Sequence, residues 1–189
     1  DSNRVRRALQ RCECVVVSDC VAETDTLGYA DIKLPALAWG EKDGTVTNSE
    51  RRISRQRAFR QAPGEARPDW WILCETAKRL GYPGFDFAGA WEIFSEHARL
   101  SGFENQGERD FDISGLQNMD EPAYDALEPV QWPVRADGSQ TQRMFSDGRF
   151  FTGSGRANFV AVTPRPPAGL PDAVFPLVLN TGRVRDQWH

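Results

Sequence analysis

The chain has 189 residues, 26% of them charged, and a formal net charge of −4. This length allows one sizeable core, or one domain with the edge of another. The mildly acidic balance argues against a general nucleic-acid-binding protein. No stretch approaches the roughly 18 apolar residues that span a bilayer, and no apolar signal region follows Asp1. We therefore expect neither a membrane segment nor a nucleic-acid partner.

The cysteines and histidines do not form a recognisable disulfide or metal pattern. A Cys-x-Cys pair could be half of a cluster site, but no second pair matches it. Two histidines cannot complete a plausible zinc site with the thiols. We interpret the thiols as buried and inert. The residues concerned are Cys12, Cys14, Cys20, Cys74, His97 and His189.

The first elements predict an α/β protein. Residues 1–9 have the spacing of a helix, and Cys14–Ser18 is a β-branched run typical of a parallel strand buried on both faces. Polar side chains, beginning with Ser18 and Asp19, follow directly at the carboxyl end, where open α/β sheets bind their ligands. The alternation in Tyr29–Pro35 predicts a second strand. The order helix, strand, connection, strand favours the α/β class.

The middle of the chain combines a long polar segment with two helices. Residues 40–67 are rich in arginine, and a loop this long inside a domain is usually functional or disordered. Pro68 opens a predicted helix that ends at Gly81, and a second helix is predicted over residues 87–100.

After Gly102 the pattern loosens into a connection that wraps over a larger body. We predict a hairpin around Ser146–Gly148 and a strand over residues 155–162. A further strand is predicted to start at Phe175.

Several separated segments resemble the dimethyl-sulfoxide-reductase family of molybdopterin oxidoreductases. They combine a strand ending in Ser-Asp, an Ala-Asp-x-x-Leu-Pro segment, a Trp-x-Glu-Lys-x-Gly segment ending in Glu-Arg-Arg, and a closing Thr-Gly-Arg…Trp-His segment. Within the family, residues 124–134 and 183–189 look most like assimilatory nitrate reductases. Periplasmic nitrate reductases and formate dehydrogenases share some of these elements. The segments are Val15–Asp19, Ala30–Pro35, Trp39–Arg52, Pro63–Asp69 and Thr181–His189.

The resemblance implies an internal fragment of a larger catalytic subunit. Residues 1–174 would be part of a Rossmann-like parallel-sheet domain, and residues 175–189 would start a C-terminal β-barrel cofactor-binding domain. The implied cofactor is molybdenum bound by two molybdopterin guanine dinucleotides. A [4Fe-4S] cluster is expected in the intact enzyme. Its cysteines and the molybdenum ligand would lie N-terminal to this region, so we assign no catalytic or metal-binding residue here.

The resemblance also implies an activity. The intact protein would reduce nitrate to nitrite in the cytoplasm, with electrons from ferredoxin, flavodoxin or an NADH-dependent reductase subunit, and the fragment alone would be inactive. One alternative is another bis-pterin oxidoreductase, such as a formate dehydrogenase or a periplasmic nitrate reductase. A second is a non-catalytic module that binds an anion through its basic 42–67 segment.

Four residues of the first half match cofactor contacts of the family. Ser18 and Asp19 would lie beside a guanine, whose N1–H and amino group a carboxylate can accept together. Lys42 suits a pyrophosphate or a base carbonyl, and Asp69 matches another dinucleotide contact. Three of the four also have a structural interpretation: Asp19 as a turn residue, Lys42 as a solvated turn, and Asp69 as a favourable charge at a helix N-terminus.

At the other end, the family's matching segment runs along a pterin dinucleotide. The residues that would contribute are Thr181, Gly182, Arg183, Trp188 and His189.

The remaining arginines and tryptophans are given structural roles. We expect Arg51 and Arg52 to pair with acidic residues of neighbouring domains, and Arg55 and Arg57, with Arg60, to form a surface charge run. We expect the tryptophans to pack in the core or between domains rather than to stack on a ligand. These are Trp70, Trp71, Trp91 and Trp132.

Overall fold

A computed structural model describes residues 2–141 and 143–179. This part of the chain is an α/β structure with two small sheets, as the sequence predicts at the level of fold class. The helices are α1 (Ser2–Leu9), α2 (Asp69–Arg79), α3 (Ala90–Gly102) and α4 (Glu121–Asp125). The strands are β1 (Val16–Asp19), β2 (Ile32–Pro35), β3 (Gly44–Thr47), β4 (Arg52–Gln56) and β5 (Val130–Gln131).

The first sheet confirms the two predicted strands but not their burial. Strands β1 and β2 pair in parallel, from Val16 opposite Ile32 to Asp19 opposite Pro35. Val16 is 53% exposed and Ile32 is 48% exposed, so the prediction of a strand buried on both faces is wrong. Within residues 2–141 and 143–179 the sheet has two strands, which is too narrow for helix layers to cover both faces as in a large parallel sheet. A Rossmann-like domain stays a prediction.

The second sheet lies where a long loop was expected. Strands β3 and β4 form an antiparallel hairpin, with Gly44 opposite Gln56, and β5 pairs with the far end of β4. The prediction of an irregular excursion over residues 40–67 is therefore wrong for residues 44–56. Most of these residues are polar, and it is the pairing with a strand more than 70 positions along the chain that places Ile53 in the core.

The core forms between this hairpin, α3 and α4. Its buried members are Ile53, Phe94, Ala98, Ile113 and Tyr124. Burial of such side chains is the main source of stability, at roughly 1.5–3 kcal/mol for each large apolar residue. Partly buried aromatic side chains close its edge, among them Trp91 and Trp132, which confirms the packing role predicted for these two residues.

The two predicted helices are confirmed. Helix α2 begins after Pro68, carries Asp69 in its first turn and has Lys78 and Arg79 in its last turn. Gly81 follows with a φ of +84°, a left-handed conformation that favours glycine beyond a helix end. No helix among residues 2–141 and 143–179 is both long and apolar enough to cross a membrane.

The C-terminal part differs most from the predictions. The hairpin expected around Ser146–Gly148, the strand over residues 155–162 and the strand starting at Phe175 are not formed in the described chain up to residue 179. Alternating apolar residues are present, but no described segment pairs with them. Their side chains are exposed instead, as in Phe159 and Leu177. The division of the chain at residue 174 stays a prediction.

Candidate functional site

The carboxyl ends of β1 and β2 meet the start of α2. The Asp19 carbonyl accepts a hydrogen bond from the Ala36 amide at 3.0 Å. Ala36 forms a parallel bridge with Arg67, and the Arg67 amide donates to the Pro35 carbonyl at 3.0 Å. Since Arg67 precedes Asp69 by two residues, three neighbouring backbone segments end at one edge. We call the four predicted contact residues at this edge the strand-end site; they are Ser18, Asp19, Lys42 and Asp69.

Two of these residues are in direct contact. The Lys42 ammonium lies 2.5 Å from an Asp69 carboxylate oxygen, and both side chains are partly exposed. Lys42 follows a 3₁₀ turn at Trp39–Glu41, and Asp69 opens α2. The two residues are separated by 27 positions. The structure therefore brings Lys42 and Asp69 into contact, two residues beyond the Arg67 segment that bonds the end of β2.

The Asp19 carboxylate is only half used by the protein. Its Oδ1 accepts the Val21 amide hydrogen at 3.1 Å, which is the turn role that the sequence also suggested. Within the described residues its second oxygen has no partner. Ser18, next to it, is exposed. The arrangement leaves one carboxylate oxygen of Asp19 open at the carboxyl end of β1.

A groove adjoins Asp19. It has a volume of about 310 Å³ and is lined by both strand ends and the segment before α2, with Cys20, Lys33 and Pro63 among its residues. Small-molecule sites commonly occupy roughly 300–1,000 Å³. The groove is mostly apolar with a few polar groups at its margin, which suits a planar heterocycle better than a free ion.

The charges of the site decide what it can hold. Asp19 and Lys33 line the groove, and Lys42 pairs with Asp69, so the two negative and two positive charges balance. The N–H groups of a guanine or the hydroxyls of a ribose could donate to the open carboxylate oxygen of Asp19. The residues present therefore fit the nucleoside end of a dinucleotide. No group of three His, Cys, Asp or Glu side chains that could hold a metal occurs in the part of the chain that the structure describes.

The sequence interpretation missed a buried arginine behind this site. The Arg55 side chain is only 4% exposed, and its guanidinium lies 2.6 Å from an Asp43 oxygen and 2.7 Å from an Asp125 oxygen. The prediction that Arg55 belongs to a surface charge run is wrong, because α4 brings Asp125 against β4 from 70 positions away. We call Arg55, Asp43 and Asp125 the Arg55 clamp.

The other hairpin arginines bind backbone carbonyls within the chain. Arg51 donates to the Trp132 carbonyl at 2.5 Å, Arg52 to the Pro129 carbonyl at 3.3 Å, and Arg57 to the Asp125 carbonyl. These contacts hold β5 and α4 against the hairpin. The expectation that Arg51 and Arg52 pair with acidic residues of neighbouring domains stays a prediction.

Burial and charge shift the protonation of the clamp. Burial alone would lower the Arg55 pKa, but the hydrogen bonds to Asp43 and Asp125 outweigh it and raise the pKa above its ordinary value. The pKa of Tyr124 is raised mainly by its own burial, against the opposing charge of Arg55. Arg55 is therefore charged and Tyr124 neutral at any physiological pH.

The thiols are less buried than expected. Only Cys74 is buried, where desolvation raises the pKa of its thiol. Cys12, Cys14 and Cys20 are exposed, so the interpretation of buried thiols is wrong for these three. They lie next to the narrow first sheet, which has too little covering structure to enclose them.

Some predicted contacts lie outside the described residues. These are Thr181, Gly182, Arg183, Trp188 and His189. A larger cleft of about 740 Å³ lies between Arg135 and the segment around Phe145 and Phe150, and it contains none of the predicted contact residues. Of the predicted contacts within the described residues, Asp19 lines the smaller groove at the strand ends, and Lys42 and Asp69 contact each other.

Comparison with known proteins identifies the family. Residues 1–79 match the molybdopterin oxidoreductase family, a range that contains the whole strand-end site. The chain is 54% identical over 193 residues to a nitrate reductase of Klebsiella oxytoca, covering 100% of this chain and 22% of that protein. It is 46% identical over 196 residues to a nitrate reductase of Shewanella frigidimarina, covering 100% of this chain and 21% of the relative.

A formate dehydrogenase is also similar. The alpha subunit of an F420-dependent formate dehydrogenase of Methanococcus maripaludis is 34% identical over 185 residues, covering 97% of this chain and 25% of that protein. The chain thus spans about a fifth to a quarter of the length of these relatives. On the family match over residues 1–79 and the similarity of these relatives along the full length of this chain, the chain belongs to the molybdopterin oxidoreductase family.

Proposed function

We propose that the strand-end site binds the guanine end of a molybdopterin guanine dinucleotide in a molybdenum-dependent nitrate reductase. The observations that support the proposal are the open carboxylate oxygen of Asp19 at the groove and the Lys42–Asp69 ion pair at the start of α2, which follows the Arg67 segment bonded to the end of β2. A carboxylate with a free oxygen can accept from the N1–H and amino group of guanine. By the same resemblance, residues 181–183 and 188–189 contact a pterin dinucleotide.

The contact between Lys42 and Asp69 indicates which part of the dinucleotide each residue would bind. Because Asp69 already neutralises the ammonium at 2.5 Å, Lys42 is a poor anchor for a doubly charged pyrophosphate. It remains a good donor to the guanine carbonyl or a ribose oxygen, and Asp69 can accept from a ribose hydroxyl. The site would thus recognise the nucleoside, and other parts of the protein would bind the phosphates.

The bound cofactor would supply the redox chemistry, a two-electron reduction of nitrate to nitrite at molybdenum. Residues of this chain would contribute binding and orientation. The higher identity to nitrate reductases than to the formate dehydrogenase favours nitrate as the substrate. An assimilatory role, a cytoplasmic location, a [4Fe-4S] cluster elsewhere in the protein, and ferredoxin, flavodoxin or an NADH-dependent reductase as donor complete the proposal.

The rival anion-binding module loses support from the hairpin contacts. Four arginines of the basic segment are already engaged by carbonyls or carboxylates of this chain. Arginines held in this way offer few free donors to an external anion. The arginines of the basic 42–67 segment are accordingly better explained as residues that stabilise the fold of this chain.

Nucleotide and metal content of the full-length protein test the proposal. We expect Asp19→Asn to lower the GMP released by acid hydrolysis and the molybdenum content together, by on the order of tenfold for the loss of one charge-assisted contact. Lys42→Ala should lower both by a smaller factor, because the lysine is shared with Asp69.

Two matched substitutions serve as controls. Lys78→Ala removes a lysine that pairs with Glu75 on the exposed face of α2, and Glu128→Gln removes an exposed carboxylate away from the site. Both should retain full GMP and molybdenum content. Full content in folded Asp19→Asn and Lys42→Ala proteins would refute the assignment of the site.

A further inference from the structure

The backbone segment around Lys42 is short, and hydrogen bonds hold it on both sides of this residue. The Lys42 amide donates to the Trp39 carbonyl at 3.4 Å, closing the 3₁₀ turn before it. The Glu41 carboxylate accepts the Ala38 amide hydrogen at 2.8 Å. Strand β3 begins only two residues after Lys42. Little freedom is left to this segment once both of its sides are held.

Arg55 and Gln56, the last two residues of β4, hold the chain on the two sides of Lys42. Arg55 lies opposite Thr45 in the hairpin, and its Nη1 reaches Asp43 at 2.6 Å and the Gly44 carbonyl at 2.9 Å. Gln56 donates from its side-chain amide to the Trp39 carbonyl at 2.6 Å. Two successive residues of one strand therefore fix the chain just before and just after Lys42.

The clamp in turn is anchored in the core. The Arg55 Cζ lies 4.2 Å from the centroid of the Tyr124 ring, and Tyr124 is 2% exposed. Asp125, the last residue of α4, binds the second arm of the guanidinium. Asp43 is thereby connected through Arg55 to the buried Tyr124 and to α4.

Stability alone is a poor explanation for this arginine. Its Nε is buried and has no hydrogen-bond partner, which is unfavourable for a donor removed from water. An apolar side chain of similar length would fill the space without that penalty, as replacements of buried ion pairs often show. What an apolar side chain could not do is hold Asp43 and the Gly44 carbonyl together.

We propose that Arg55 is a positioning residue for the strand-end site: through Asp43 it fixes the backbone that presents Lys42 to Asp69 and to the bound nucleoside. This inference rests on the proposed function of the site. It adds that the affinity of the site for guanosine depends on a residue that does not touch the ligand.

Variants of the full-length enzyme test this role. Arg55→Met removes the hydrogen bond to Asp43 and leaves an unbranched apolar side chain, whereas Arg52→Met, the control, removes an arginine of the same strand that bonds the Pro129 carbonyl and neither Asp43 nor Asp125. We expect Arg55→Met to lower released GMP per protein by on the order of threefold to tenfold, as for the loss of a charge-assisted hydrogen bond. Arg52→Met should retain the GMP content.

A second readout separates positioning from general instability. Amide hydrogen exchange of residues 41–45, measured in cofactor-free full-length enzyme, should accelerate on the order of tenfold in Arg55→Met while exchange in α3 is unchanged. Arg55→Lys should restore part of the protection, since it can keep one of the two contacts. If Arg55→Met does not fold, Asp43→Ala breaks the same contact from its half-exposed partner and is measured in the same way.

The outcomes distinguish this inference from the proposed function. Normal GMP content and normal exchange over residues 41–45 in folded Arg55→Met or Asp43→Ala would overturn the positioning role. If Lys42→Ala still lowers GMP content in that case, the nucleoside site stands without the clamp. If neither Lys42→Ala nor Asp19→Asn lowers it, both proposals are wrong.

Discussion

Two ion-pair groups of similar geometry lie in contrasting surroundings. The Lys42–Asp69 pair is 2.5 Å long and partly exposed at the end of an open two-stranded sheet. The Arg55 clamp has contacts of 2.6 and 2.7 Å, and its arginine is almost fully enclosed against the three-stranded sheet and α4. The contrast shows that contact distance does not indicate role: the exposed pair remains available to a ligand, while the enclosed group organises the protein.

The sharpest way to break this comparison is to remove both carboxylates of the clamp. The double substitution Asp43→Ala with Asp125→Ala leaves a buried, unpaired guanidinium, which should lower the free energy of unfolding by about 3–5 kcal/mol. Lys42→Ala should lower it by at most about 1 kcal/mol, since its pair is exposed to water. Urea unfolding of the 189-residue chain measures both. Equal effects would show that the two groups do not differ as described.

Substitution of two isoleucines compares how much the core and the first sheet contribute to stability. Ile113 is fully buried in the core, whereas Ile32 on β2 is about half exposed. We expect Ile113→Ala to destabilise by about 2–5 kcal/mol and Ile32→Ala by about 1 kcal/mol or less. The same urea titration provides the values. A larger effect at Ile32 would place the stabilising core in the parallel sheet instead.

Two glycines sharpen the comparison at the level of packing. A Cβ at Gly102 would lie 2.5 Å from the Ser114 Cβ, whereas a Cβ at Gly28 would meet nothing within 4 Å. Gly102→Ala should therefore cost about 1–3 kcal/mol by overpacking against the core, and Gly28→Ala should be close to neutral. Thermal unfolding followed by circular dichroism compares them. A neutral Gly102→Ala would contradict the close approach of α3 to residue 114.

The smallest expected effect concerns the pKa of Glu75, which pairs with Lys78 and Arg79 on helix α2. Hydrogen bonds from Lys78 and Arg79 lower the pKa of Glu75 below its ordinary value of 4.5. A lowered carboxyl pKa contributes stability that is present above the unfolded-state value and is lost as the pH falls through the folded-state value. We expect an NMR titration of the Glu75 carboxyl to show this lowered pKa, and the Lys78→Ala, Arg79→Ala double substitution to return it toward 4.5. An unchanged pKa in that variant would contradict the contacts on α2.

The sequence predicted the elements whose evidence is local. Helix α2 has Pro68 before it and Gly81 beyond it, and β1 is a run of valines, so both were located correctly. The convergence of Asp19, Lys42 and Asp69 on one edge came from the family resemblance, and the structure supplies the Lys42–Asp69 contact and the neighbouring strand ends. Their role toward a ligand remains a prediction.

What the sequence did not reveal depends on distant partners. Strand β4 is mostly polar, and it is fixed by pairing with β5 more than 70 residues later. Arg55 has the same local pattern as Arg60, and only the arrival of Asp125 distinguishes the buried residue from the exposed one. Conversely, the alternation in residues 155–162 predicted a strand that has no partner among the described residues.

The most direct test of the central claim is an experimental structure of the intact, cofactor-loaded protein. We predict that a guanine lies at the end of β1, with its N1 and amino nitrogens about 2.7–3.1 Å from the Asp19 carboxylate. Lys42 and Asp69 should then contact the same nucleoside. A guanosine bound elsewhere, with the Asp19 carboxylate facing solvent or another part of the protein, would contradict the account.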